Sequence, residues 1–202
     1  MSDPVTVDIF VEDRAHEALL LPIVRRVARE EDVPVQIRVR SARGGHGRAI
    51  EEFRLFQRML AKGAFEGEYP KILVVGIDGN CTTAAKKKLE IAEAADEASK
   101  GLLVAACPDP HVERWYLADP ESFQTVVGHT PSVGKTKCAR DHYKRLLSEA
   151  IQQGGHPATL GGIEFASELV AAMDFYRAGK NDHALRSFID DLKVHLRAES
   201  TD

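Results

Sequence analysis

The sequence predicts an α/β fold, a mostly parallel sheet flanked by helices and followed by a helical C-terminal extension. Three observations predict it. β-branched runs and helical periodicities alternate up to Cys107. The run at 71–77 (KILVVGI) is apolar almost throughout, as in a strand buried on both faces. Beyond Cys107 the apolar spacing is helical.

Each element follows from its residues. Val5, Val7, Ile9 and Val11 alternate with Thr6, Asp8, Phe10 and Glu12, which predicts a strand ending at a carboxylate. Ala15, Ala18, Leu19, Ile23 and Val27 recur at helical spacing and predict a helix over 14–31, kinked at Pro22 where the ring removes an intrahelical hydrogen bond. Alternation returns over 33–39. The glycines of SARGGHG at 41–47 then break the chain before a helix through Ile50, Phe53, Phe56 and Leu60. The strand at 71–77 terminates in Asp78-Gly79-Asn80. Thr82 or Thr83 can cap a helix over 84–99, Gly101 ends it, and 102–106 supply a fourth short strand. This βαβαβαβ order implies right-handed crossovers. Asp119 before Pro120 reads as a helix N-cap, and helical patterns recur near 136–152 and 163–197 around a loop at 154–162. The tail has too few apolar positions for a core of its own, so residues 1–120 are expected to form the α/β core and 121–202 a helical extension packed on it.

Composition narrows the classes. A chain of 202 residues suits one domain burying roughly 70% of its unfolded surface. With 44% hydrophobic and 29% charged residues it is neither disordered nor collagen-like. No apolar run reaches the roughly 18 residues of a membrane span, and the start MSDPVTVDIFVED lacks the basic and apolar parts of a leader, so a cytoplasmic protein is expected. Cys81, Cys107 and Cys138 form no CxxC pair and are odd in number for a disulfide scheme, which argues against structural zinc. The formal charge is −4, yet arginines at 38, 40, 43, 48, 54 and 58 and basic residues at 135, 137, 140, 144 and 145 make two local positive segments.

Parallel sheets bind ligands outside the carboxyl ends of their strands, where Glu12 and Asp78 both fall. Two carboxylates from distant strands make an oxygen-rich site suited to Mg²⁺ or Mn²⁺, and Asn80 can add a neutral oxygen ligand. Such a site serves phosphoryl transfer. Strand-terminal acids also cap helices or face water, and the pattern leaves both readings open.

Glu12 in DIFVEDRAHEALL, Asp78 in ILVVGIDGN and the segment PDPHVERWYLAD resemble the TOPRIM-like proteins, within them the DUF4276-type group with its P-x-x-E-x-W-x-L-A-D signature. The stretches IEFASELVAAMDFYRA and ALRSFIDDLKVHL are similar to that group's helical tail. The resemblance implies a Rossmann-like TOPRIM sheet, a glutamate acting as acid or base, and a D-x-D pair holding Mg²⁺. Glu12 matches the glutamate and Asp78 the first aspartate, while Asn80 departs from the second. A one-metal mechanism, compensation by Glu113 or Asp109, or a degraded site would each accommodate that departure. Glu12, Asp78 and Glu113 are therefore the catalytic candidates, and Glu12, Asp78 and Asn80 the metal ligands. A Mg²⁺-dependent nuclease is implied, with a separate ATPase subunit and a role in anti-phage defence as further implications of the same resemblance; whether the chain forms a homo-oligomer is left open by the sequence.

Gly44, Gly45 and Gly47 between Arg43 and Arg48 could present backbone N–H groups and guanidinium forks to phosphate, and Lys135, Lys137 and Arg140 form a basic stripe at helical spacing. With Arg40 these are the nucleic-acid candidates; solvated charge is the plainer reading. Trp115 reads as a core anchor and His111 as a loop residue without a ligand partner. Two motifs mislead. GHTPSVGKT at 128–136 has five residues between its glycines where a phosphate-binding loop needs four, and His111-Val112-Glu113 lacks the cysteines of a deaminase. A non-catalytic binding module and an enzyme for a small phosphorylated substrate are the alternative functions.

Overall fold

A computed structural model of the chain describes residues 3–41, 44–65, 69–134, 136–139 and 141–200. Strands β1 (Val5–Val11), β2 (Val35–Ser41), β3 (Ile72–Gly76) and β4 (Leu103–Ala106) form one sheet in the order β2-β1-β3-β4, and every pairing is parallel. Helices α1 (Arg14–Glu30), α2 (His46–Ala61) and α3 (Ala84–Ala94) occupy the connections, with a single turn α4 (Glu97–Lys100) before β4. Beyond β4 come α5 (Glu113–Tyr116), α6 (Pro120–Val127), α7 (His142–Gln153), α8 (Ala166–Ala172), α9 (Phe175–Asn181) and α10 (His183–Ser200). The fold is α/β with a helical C-terminal segment. Among the described residues no helix is long and apolar enough to cross a membrane.

Strand alternation sorts side chains into two cores. Val7, Ile9 and Val11 of β1 and Val74 of β3 face a layer that contains Leu19 and Ile23 of α1, Trp115 of α5, and Leu185 and Phe188 of α10. Phe10, Leu73 and Val75 face the other layer, with Ile50 and Phe53 of α2 and Ile91 of α3. The C-terminal helices thus share a core with β1 and α1 rather than enclosing one of their own. Arg26 of α1 reinforces this, donating to the carbonyls of Val170 and Met173 at 2.5 and 2.6 Å. Trp115 is fully buried, stacked on Phe188.

Several helices end where periodicity continues. The helix expected over 84–99 breaks at Ala95 because buried Gln57 of α2 donates to the Ala94 carbonyl at 3.1 Å and accepts from the Asp96 amide at 2.7 Å. Asp96 then caps α4 through the Ser99 amide. The span 163–197 divides into a 3-10 turn and three helices, since Asp174 and Asp182 each accept from amides two and three positions on and so start new helices. The 136–152 pattern becomes helical only from His142. Pro22 lies within an unbroken α1. Asp119 precedes α6 without capping it through its side chain. It accepts instead from Ser122, from the Asp174 amide and from Arg177. The odd cysteine count accommodates one pair, and Cys81 and Cys138 form it, leaving Cys107 buried and free.

Two glycines set the approach of the loops around the strand ends. A Cβ on Gly76 would lie 2.7 Å from Leu20 Cδ1 and 3.5 Å from His16 Cδ2, so its absence lets α1 settle against β3. A Cβ on Gly79 would lie 2.8 Å from the Pro108 carbonyl oxygen, a backbone atom that cannot rotate away. Gly79→Ala is expected to cost about 1–3 kcal/mol in urea unfolding, whereas Gly101→Ala, with nothing within 4 Å of the added carbon, should leave the midpoint nearly unchanged.

Candidate metal centre

Chain order and sheet order diverge between β1 and β3. From β1 the chain moves outward to β2 and then returns to the opposite side for β3, so the connections leave β1 and β3 in opposite directions. That switch point opens a crevice beyond the carboxyl ends, and Glu12 and Asp78 enter it. The Glu12 amide donates to the Gly76 carbonyl at 3.0 Å, prolonging the β1–β3 ladder. In return the Asp78 amide donates to Glu12 Oε2 at 3.0 Å.

Helix α1 adds a third group. Asp13 caps it, accepting from the Ala15 and His16 amides at 3.0 Å, and the same Oδ1 lies 2.9 Å from His16 Nδ1. This fixes the imidazole so that Nε2 faces the strand ends, 3.2 Å from Asp78 Oδ1. His16 is fully buried, and although Nε2 sits at ion-pair distance it meets no acceptor in hydrogen-bonding geometry. Ligand atoms of Glu12, His16 and Asp78 all lie within 4.8 Å of one another. Two carboxylate oxygens and an imidazole nitrogen whose buried lone position lacks a hydrogen bond make a donor set that can hold a divalent ion.

Asp78 is held from the β4 side as well. Val112 donates its amide to Oδ1 at 2.8 Å, and His111 Nδ1 lies 3.0 Å from Oδ2. His111 is a loop residue outside the grouped ligand atoms, in line with the reading from spacing, and it engages a carboxylate 33 positions away on another strand end. Glu113, buried in the first turn of α5, lies outside the grouped ligand atoms but close enough for the charges of Asp78 and His16 to act on it.

Burial and charge act in opposition on these groups. Burial alone would raise the Asp78 carboxyl, but the His16 charge and the His111 contact outweigh it and hold Asp78 at about 2. Burial likewise works to discharge His16, yet Asp78 and Asp13 overcome it and hold its pKa well above the usual histidine range. His111 is raised chiefly by its bond to Asp78. Glu12 and Glu113 are both pushed up by burial, Glu12 partly relieved by the Asp78 amide and Glu113 by a backbone bond.

The other candidates lie as follows. Asn80 has a left-handed backbone, φ 51°, and its amide donates to the Pro110 carbonyl at 2.8 Å. No hydrogen bond among the described residues links its side chain to Glu12 or Asp78. Arg40, on the edge strand β2, has Nε 3.3 Å from buried Asp8 and its guanidinium 4.5 Å from the Phe56 ring centre. Arg48, exposed on α2, pairs with Glu52 at 3.0 Å. Lys137 pairs with Asp109 at 2.8 Å, near His111. Arg43, Lys135 and Arg140 lie outside the described residues. The residue that sequence reasoning passed over is His16. Its signal is the Asp13-x-x-His16 spacing at a helix start four residues past Glu12, which places an imidazole over the strand end.

The chain matches no family model, no curated protein and no solved structure. The site is therefore read from its own geometry.

A cation bound by His16 would compete with a proton for the imidazole, so metal binding and deprotonation would be linked. Apparent Mn²⁺ affinity should rise with pH, by up to about tenfold per unit below the folded pKa of His16, and calorimetry in buffers of different ionisation enthalpy should register a released proton. Metal-free stability follows the opposite logic for each group. The depressed Asp78 contributes fully above its unfolded value near 3.8 and is lost as pH falls toward 2. The raised His16 contributes fully below its unfolded value of 6.5 and is lost as pH rises through the folded value. Thermal melts without metal should accordingly peak between these limits.

Proposed function

We propose that the protein is a divalent-metal-dependent phosphodiester hydrolase, a nuclease, that uses Mg²⁺ or Mn²⁺. The observation that carries this reading is the convergence of Glu12, His16 and Asp78 on one point at the sheet's switch position. The sequence resemblance to TOPRIM-like proteins supports nucleic acid as the substrate. An imidazole among the ligands tilts the preference toward Mn²⁺, since Mg²⁺ favours oxygen alone.

Residue roles follow from position. Glu12, His16 and Asp78 hold the ion, which when bound supplies positive charge to a phosphoryl oxygen. His111 and the Val112 amide fix the Asp78 carboxylate, so they position a ligand rather than touch substrate. Glu113, raised by burial, retains a proton further up the pH scale than an exposed glutamate and suits donation to a leaving oxygen. Asn80, which stands where the resemblance implies a second aspartate, brings no carboxylate to the group, which fits a single-ion site. Lys137, Arg40 and Arg48 all pair with carboxylates of the protein, and of the three it is Lys137 whose partner, Asp109, lies on the segment leading to His111. A separate ATPase subunit and a part in anti-phage defence rest on the resemblance.

Labelled single- and double-stranded DNA and RNA, incubated with Mn²⁺ or Mg²⁺, test the reading. Glu12→Gln and Asp78→Asn are expected to lose cleavage by at least about 10²-fold, and Glu113→Gln by about 10²-fold with Mn²⁺ affinity retained. Full cleavage by both the Glu12 and Asp78 variants would sink the proposal, as would Mn²⁺ binding by the wild type without turnover of any of the four substrates.

A further inference from the structure

Cys81 and Cys138, 57 residues apart in sequence, have Cα atoms 4.8 Å apart, within the span a disulfide bridges without backbone movement. Both are exposed, so the bond is open to attack by an external thiolate. Its location gives it a consequence. Cys81 stands three residues after Asp78, and Cys138 belongs to the loop ahead of α7. Beside the bond, Lys137 Nζ lies 2.8 Å from Asp109 Oδ1 and donates to the Thr82 carbonyl at 3.5 Å, a second tie between the same segments. The loop that starts at Asp109 continues through Pro110, whose carbonyl accepts from Asn80, to His111 and Val112, which hold the Asp78 carboxylate. On its far side the loop ahead of α7 is anchored by buried Tyr143, which donates to the Gly134 carbonyl and accepts from the Thr136 amide. Cys138 itself adopts a left-handed backbone, φ 60°, which is unfavourable for a non-glycine residue. A released loop would relax it.

We propose that Cys81 and Cys138 form a reversible thiol–disulfide site that clasps the loop ahead of α7 onto the loops of the metal centre, with glutathione-type thiols or a protein dithiol as its reaction partners. In the reducing direction an incoming thiolate attacks one sulfur, forms a mixed disulfide, and expels the other cysteine as a thiolate that takes up a proton. A second thiol then resolves the mixed disulfide. Two reductant thiols are oxidised to one disulfide, and their two electrons and two protons appear as the thiols of Cys81 and Cys138. Oxidation by a disulfide reverses each step. Cys107 is buried and takes no part in the exchange. Opening the clasp frees the 108–112 segment on one side, and a loosened His111–Val112 grip weakens Asp78 as a ligand. That last consequence rests on the metal reading above, whereas the clasp does not.

The full chain, equilibrated across glutathione redox buffers, provides the test. Thiol counting after denaturation should move from one free cysteine, Cys107, to three, with the circular dichroism of the fold retained. Hydrogen exchange in peptides covering 78–82 and 108–112 should quicken at least about threefold on reduction. Mn²⁺ affinity, measured with a phosphine as reductant, should fall by about 3–10-fold. The double variant Cys81→Ser, Cys138→Ser should match the reduced wild type and ignore the redox buffer. Three free thiols throughout, or identical exchange in the two redox states, would overturn the proposal. If neither state binds Mn²⁺, the metal reading fails while the exchange data still decide the clasp.

Discussion

A carboxylate placed at the buried end of a central strand has to be compensated, and Asp78 gathers three separate segments of chain around it, two of which supply that compensation. His16 approaches from α1, His111 and the Val112 amide from the connection after β4, and the Asp78 amide itself restrains Glu12 beside β1. Each of these contacts requires a local device. Asp13 caps α1 and turns the imidazole, Gly76 admits α1 to β3, and Gly79 admits the Pro108 carbonyl. Removing Asp78's partners singly would leave a buried charge with too few hydrogen bonds, a costlier state than an apolar residue in the same place.

The same logic governs the buried charge within the sheet. Asp8 lies on the face of β1 that also carries Phe10, is fully buried, and takes Arg38 at 2.6 Å and Arg40 at 3.3 Å from the adjacent strand. Arg40 then lies over Phe56 and Phe65, which shield it from water. Two arginines of the positive segment at 38–58, one of them the nucleic-acid candidate Arg40, are spent on holding the edge strand. Local charge density shows where cations are; it does not show which carboxylates they face across the fold.

The limits of legibility have the same origin. The strands were readable because burial on both faces leaves nearly uninterrupted apolar runs, as in β3, and because glycine or a carboxylate marks their ends. Glu12 and Asp78 were readable because parallel topology sends every strand end to one side. The helix break at Ala95 was not, since it depends on Gln57 arriving from α2 to satisfy the Ala94 carbonyl and the Asp96 amide. Asp174 and Asp182 did carry a cap signal inside a continuous apolar periodicity, and the periodicity obscured it. His16 and His111 escaped because their common partner is set by tertiary structure. The Cys81–Cys138 pair is of the same kind, its two halves on different sides of β4 in the chain.

Electrostatics explains why such a centre can exist before it holds an ion. Glu12, Asp13 and Asp78 crowd three carboxylates around the strand ends, and mutual repulsion in a buried setting would drive them apart or protonate them. His16, whose pKa Asp78 and Asp13 hold well above the usual histidine range, lies between two of them and favours their charged forms, while burial pushes the pKa of Glu12 up. A divalent ion held by Glu12, His16 and Asp78 would offer more charge at the same position and would favour an ionised Glu12 and a neutral His16. The three ligands would then need little rearrangement, because their contacts with Asp13, the Asp78 amide and one another already hold them together.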